Sequence, residues 1–224
     1  MPAFRQLNAM RKMTRKALPF LAVALAAIGI GLCATGATAT DMAAADPQPE
    51  EGLLKPGLNV SYMRWDFKTL DTFDELLGDG EFTPSGTIPR AEDFSGEEPT
   101  LNYVREEEQP VLTSDATILI GAHITGFVKF HESGPHTLWV LSNDAVRLSL
   151  GGEELYELDG RHPDTMSADI PVVIDKPGWY PIEIRFFQRY VSSALAVYWH
   201  TPSAPECKAR GCPALPLTAL AHTE

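Results

Sequence analysis

The sequence predicts an all-β fold, an antiparallel sandwich or barrel, and three observations carry that reading. Short runs rich in β-branched and aromatic residues recur from Ile118 to Trp199, with turn residues between them. Side chains in these runs alternate apolar and polar with a period of two, which places one face of each strand in a core. No segment of the same region holds apolar residues at helical spacing for the length of a long helix.

The elements follow in order. Leu58 to Trp65 alternates as a strand. Leu70 to Leu77 has the composition of one or two helical turns. Residues 78–110 are rich in Gly, Pro and acids and show no firm period, so they read as a long loop with room for one short strand. Ile124 to Phe130 is a strand, and Glu132-Ser133-Gly134-Pro135 a turn. His136 to Leu141 puts Leu138 and Val140 on one face and Trp139 on the other. Ser142-Asn143-Asp144 interrupts the apolar pattern. Val146, Leu148 and Leu150 then oppose Arg147 and Ser149, and Gly151-Gly152 marks a two-residue hairpin leading into Glu153 to Leu158. Ile170 to Ile174 is strand-like, and Asp175-Lys176-Pro177-Gly178 suits a type II turn. Tyr180, Ile182, Ile184 and Phe186 alternate with Pro181, Glu183, Arg185 and Phe187. Leu195, Val197 and Trp199 close the series.

The N-terminus reads differently. Arg5, Arg11, Lys12, Arg15 and Lys16 precede an uncharged apolar run from Ala17 to Leu32, and Ala37-Thr38-Ala39 offers small residues for cleavage. Residues 1–39 are therefore expected to be a signal peptide that sends the chain to the periplasm or outside the cell. The rival reading is an uncleaved membrane anchor, because the run from Ala17 to Ala39 is long enough to span a bilayer. The full chain has 18 basic and 30 acidic residues, and all five basic residues named here would leave with the signal, giving a net charge of −17. Such a chain repels nucleic acid and anionic lipid. Residues 40–56 read as a Pro- and acid-rich linker, 57–203 as the β-domain, and 204–224 as a C-terminal tail. Cys207 and Cys212, an even pair in an exported chain, are expected to form a small disulfide loop in that tail.

Order and spacing of several short motifs resemble the protective-antigen-type (PA-14) domain family. They are Gly57-Leu58-Asn59-Val60-Ser61-Tyr62, Thr125-Gly126-Phe127-Val128-Lys129-Phe130 and Ser133-Gly134-Pro135-His136-Thr137-Leu138. Ser142-Asn143-Asp144-Ala145-Val146-Arg147-Leu148, Pro177-Gly178-Trp179-Tyr180-Pro181-Ile182-Glu183-Ile184 and Tyr198-Trp199 complete the set. The resemblance spans about residues 57–203 and implies an antiparallel β-sandwich. In the fungal adhesin lectins of the family, two adjacent aspartates joined by a cis peptide bond hold calcium, and the ion holds sugar hydroxyls. The resemblance places Asn143 and Asp144 at those positions, as candidate metal ligands for Ca2+ and as carbohydrate-binding residues. Asn143 brings an amide oxygen with one charge fewer than the lectins' first aspartate. A loop before the last strand also serves the lectin site, and here it runs from Gln188 to Ser193. Gln188 is a candidate amide donor of oxygen, Tyr190 and Trp179 are candidate platforms for a sugar ring, and Arg189 is a charge that a cation site must turn away. Asn and Asp are also turn formers, and the aromatic residues, Trp65 and Trp139 included, also read as packing.

No Gly-x-Ser-x-Gly element and no zinc-ligand spacing occurs, and nothing selects a facing pair of catalytic carboxylates from the twelve acids between Asp71 and Glu108. The chain therefore reads as a non-catalytic binding module with a glycan or an envelope protein as partner. The alternative is a structural or protein-interaction subunit with no small-ligand site.

Overall fold

The computed structural model describes residues 38–94 and 96–223. The signal segment expected over residues 1–39 lies outside the described residues except for Thr38 and Ala39. Two sheets face each other across one core. The smaller runs in the order β1 (Thr40–Met42), β11 (Ile170–Ile174), β7 (Gly134–Asn143), β13 (Ser193–His200) and β5 (Asn102–Arg105), with β10 (Thr165–Met166) also paired to β7. The larger runs β2 (Lys55–Pro56), β14 (Leu220–His222), β6 (Ile120–Phe130), β12 (Gly178–Gln188), β8 (Val146–Leu150) and β9 (Glu153–Leu158). Here β3 (Leu58–Arg64) joins β6 and β4 (Thr83–Ile88). All pairings between the named strands are antiparallel except β1 with β11, which is parallel.

The alternation in the sequence sets the layers. Tyr180, Ile182, Ile184 and Phe186 of β12 and Val146, Leu148 and Leu150 of β8 are buried against Leu138 and Val140 of β7 and Leu195, Val197 and Trp199 of β13. This is a β-sandwich, with the predicted apolar faces turned inward. Gly151 and Gly152 join β8 to β9 with φ values of 63° and 86°, the left-handed conformation that a two-residue hairpin of this kind requires.

Both outer faces are covered in part. Trp139, on the outward side of β7, packs with Leu141, Tyr198 and Cys212 beneath the C-terminal tail, whose Cys207–Cys212 disulfide is formed. On the other sheet α1 (Leu70–Gly78), capped by the Thr69 hydroxyl on the Thr72 N–H, buries Leu70 and Phe73 with Phe67 and Phe187. Burying each such ring is worth about 2 kcal/mol. Gly121 of β6 lies under this cluster. A methyl group there would stand 2.6 Å from Phe67 Cε2, and Phe67 is fully buried and stacked on Phe187 at 5.7 Å, so it has nowhere to go. Gly121→Ala is expected to cost about 1–3 kcal/mol by overpacking. Urea titration should show a lower midpoint at unchanged slope, and an unmoved midpoint would mean that the ring cluster yields.

Segments that look loop-like in sequence are tied to the sheets. In residues 40–56, β1 and β2 pair with β11 and β14. The Gln48 amide donates to the Trp179 carbonyl at 2.9 Å and accepts from the Trp179 N–H at 2.7 Å, replacing a strand neighbour at the start of β12. Residues 78–110 contain two strands, β4 and β5, where one was expected. In the tail, β14 covers β6 at Phe127 and Val128, while β3 covers the same edge from Ile120 to Thr125. Strands β1, β2 and β14 are too short to show a period, and their partners are far away in sequence. Among the described residues no helix is long and apolar enough to cross a membrane.

Candidate functional site

Three chain segments meet at one end of the sandwich. The first is the turn between β7 and β8, where the Asn143–Asp144 peptide bond is cis. The second is the stretch from Arg161 to Asp164, between β9 and β10. The third is the loop from Gln188 to Ser192, between β12 and β13. Asp144 links all three. Its Oδ1 accepts from the His162 N–H at 3.1 Å, and its Oδ2 accepts from the Arg189 N–H at 2.9 Å. Asn143 reaches the same two segments, donating from Nδ2 to Asp164 Oδ1 at 3.1 Å and to Ser192 Oγ at 3.2 Å. The turn itself is fixed to the larger sheet by the Phe187 N–H donating to the Ala145 carbonyl at 3.1 Å.

Asp144 is 1% exposed, and burial pushes its carboxyl above the ordinary aspartate value, with the two N–H donors pulling the other way. Cationic side chains surround the junction. Arg189 turns its guanidinium away from Asp144, to Asp66 at 3.0 Å, and over the Tyr190 ring at 5.2 Å. Arg161 lies 5.7 Å from the same ring, and Arg210 stands 3.7 Å from Asp164.

The structure thus brings Asn143, Asp144 and the 188–192 loop together, but it uses Gln188 and Trp179 differently from the expectation. Gln188 is fully buried, with its amide donating to the Tyr190 and Ser192 carbonyls, so it shapes the loop from within. Trp179 lies at the far end of β12, mostly buried beneath the Lys129 ammonium at 5.1 Å. Tyr190 is 37% exposed but carries two guanidinium groups near its ring. His162, Asp164 and Arg161 were missed by sequence reasoning, because the segment bears no motif and meets the turn only through tertiary structure. A cleft of about 470 Å³ lies elsewhere, on the outer face of the larger sheet around Thr125, Pro181 and Glu183.

The model of the PA14 domain family matches residues 113–210. The chain contains a PA14 domain. Solved structures agree in fold. The PA14 sugar-binding domain of an RTX adhesin superposes with a TM-score of 0.53 at 12% identity, over 75% of this chain and 98% of that one. The Epithelial Adhesin 9 A domain of Candida glabrata, solved in complex with Galβ1-3GlcNAc, gives 0.57 at 11% identity over 84% and 97%. An anti-sigma factor domain-containing protein gives 0.54 at 18% identity over 76% of this chain, which spans about half of that protein (49%). At these identities the likeness shows the fold. No curated protein gives a significant match.

Calcium in a PA14 site of the lectin kind needs six to eight oxygen ligands. Here each Asp144 oxygen already accepts a main-chain N–H. Asn143 turns its NH2 group toward Asp164, and the reverse orientation would set amide oxygen against carboxylate. The other side-chain oxygens at the junction are those of Asp164, Ser192 and Gln188, whose Oε1 is buried without a hydrogen-bond partner, in a surround rich in arginine. Among the described residues no three His, Cys, Asp or Glu side chains converge on a common point. The hydrogen bonds that Asp144 accepts from the two loops brace the junction.

Proposed function

We propose that this chain is an exported, non-catalytic module that binds carbohydrate at the junction of the Asn143–Asp144 turn with the 161–164 and 188–192 loops. The observation that carries the reading is the convergence there of Asn143, Asp144, Asp164, Ser192 and the half-exposed Tyr190. Planar polar groups beside an aromatic ring are what sugar hydroxyls and ring faces pair with. Sugar binding by the RTX adhesin domain and the complex of the Candida glabrata adhesin support the ligand class. Export is supported by the basic and apolar N-terminal order and by the disulfide, which persists in oxidising compartments. A non-catalytic role is supported by the carboxylates outside the junction: Asp74, Glu157 and Glu183 are each engaged by arginine instead of facing one another as a glycosidase pair.

The test is an array of immobilised glycans probed with the mature chain, in calcium and in chelator, alongside thermal melting in both. Binding that survives chelation with an unmoved melting temperature is the expected outcome, with direct hydrogen bonding to sugar. Binding lost in chelator, with a melting temperature raised by millimolar calcium, would restore the metal-assisted form implied by the family. No binding to any glycan would sink the reading in favour of a structural or protein-interaction role.

A further inference from the structure

Three strands of the larger sheet end in one row. Arg64 of β3 pairs with Ile120 of β6, which pairs with Gln188 of β12. The row continues past the strand ends. The Trp65 N–H donates to the Leu119 carbonyl at 3.0 Å, the Leu119 N–H to the Arg189 carbonyl at 3.1 Å, and the Arg189 N–H to Asp144 at 2.9 Å. Trp65 is thus tied to the Asn143–Asp144 junction by a continuous line of hydrogen bonds, two between main-chain groups and the last to the Asp144 carboxylate. Two strand spacings separate it from Arg189, roughly 10 Å.

This row is where exposed apolar surface collects. Six large hydrophobic residues are exposed among the described residues, and four of them lie here: Trp65 (50%), Ile118 (40%), Tyr190 (37%) and Val191 (48%). Trp65 and Ile118 border a hollow of about 310 Å³ with Arg64, Asp66 and Leu119. Trp139, Trp179 and Trp199 are all buried, so Trp65 is the one tryptophan of four that stands open. Its immediate neighbours are charged, and Asp66 is itself bonded to Arg189.

We propose that Trp65 and Ile118 form a second sugar subsite in line with the Asn143–Asp144 junction, so that the module binds an extended oligosaccharide laid across the strand ends. The proposal rests on the carbohydrate-binding reading above. An indole face is electronegative and packs well against the apolar C–H face of a pyranose ring. Arg64 and Asp66 supply donors and an acceptor for the ring's hydroxyls at the rim. Because the backbone at Trp65 is already held by Leu119, the platform is preorganised and little ordering is lost on binding.

The experiment compares the wild type with Trp65→Ala and Trp65→Phe on the same array of immobilised mono- and oligosaccharides, with melting temperature as a control. The expected result is at least a tenfold weaker oligosaccharide signal for Trp65→Ala, unchanged monosaccharide binding and folding, and partial recovery in Trp65→Phe. Titration of the wild type with the best-bound oligosaccharide should also change tryptophan fluorescence, and the change should vanish in Trp65→Phe. Oligosaccharide binding unaffected by Trp65→Ala but lost in Asp144→Ala would overturn the second subsite and leave the junction standing. A wild type that binds only single sugars would do the same. A wild type that binds no glycan would remove both.

Discussion

Asp144→Ala is expected to release the 161–164 and 188–192 loops together and to abolish glycan binding. The carboxylate is buried and receives one main-chain N–H from each loop, from His162 at 3.1 Å and Arg189 at 2.9 Å. Truncation orphans both donors at about 1–3 kcal/mol each, offset in part because a buried charge is also removed, for a net loss of about 2–4 kcal/mol. Hydrogen exchange locates the effect: the His162 and Arg189 amides should lose protection while β12 and β13 keep theirs. Equal protection of those two amides in the variant would show that Asp144 does not brace the loops. Asp144→Asn keeps one acceptor oxygen and should fall between the two. It also exposes the pH dependence. Burial raises the Asp144 pKa, so the folded state binds this proton more tightly than the unfolded state. The residue's contribution to stability therefore falls as pH rises through the window above the unfolded value of about 3.9. The advantage of wild type over Asp144→Asn should shrink across that window in urea titrations at stepped pH.

Most of the sandwich was legible because its strands advertise themselves. Tyr180 to Phe187 alternates without interruption, and the structure buries the predicted face. Gly151-Gly152 announces a hairpin because few other residues adopt positive φ twice in succession. Phe187 shows where pattern reasoning stops. Its outward position reads as solvent-facing, yet α1 covers it, and nothing local in the sequence says where a short helix will dock. Gln48, β2 and β14 were illegible for the same reason. Their stability comes from partners more than ninety residues away, Trp179 and β6 among them, and two- or three-residue strands carry no period. At the junction the Asn143–Asp144 turn was legible as a break between apolar runs. His162, Asp164 and Arg161 were not, because a polar loop has the same composition whether it faces water or a carboxylate. Gln188 was legible as an amide near the turn, but its burial follows from its parity on β12, which puts it on the same side as Ile184 and Phe186.

Replacing Arg147 by methionine is expected to cost about 2–3 kcal/mol and to loosen α1 from the larger sheet. Arg147 points outward from β8, and its guanidinium meets Asp74 of α1 at 2.7 Å, Glu157 at 2.6 Å and Glu154 at 3.2 Å. Its own side chain is 16% exposed, so the charge is largely withdrawn from water. Removing one partner of a buried ion pair costs about 3–5 kcal/mol, and the lower figure applies here because the carboxylates can still reach solvent. Methionine preserves the stem's packing and removes only the charge. Arg185 limits the damage, since it holds the other Asp74 oxygen at 2.8 Å and also pairs with Glu183 at 3.0 Å. The network reaches Glu183, whose pKa is lowered to about 2, first by the hydrogen bond with His123 and then by Arg185. A depressed carboxylate contributes stability above its unfolded value and loses it as pH falls, so Glu183 should help to set an acid limb between about pH 4.3 and 2. That slope is opposite in sign to the one at Asp144. Glu183→Gln should flatten the limb without moving the neutral-pH effect of Arg147→Met. An Arg147→Met protein as stable as the wild type at neutral pH and low salt would show that Arg185 alone holds α1 to the sheet.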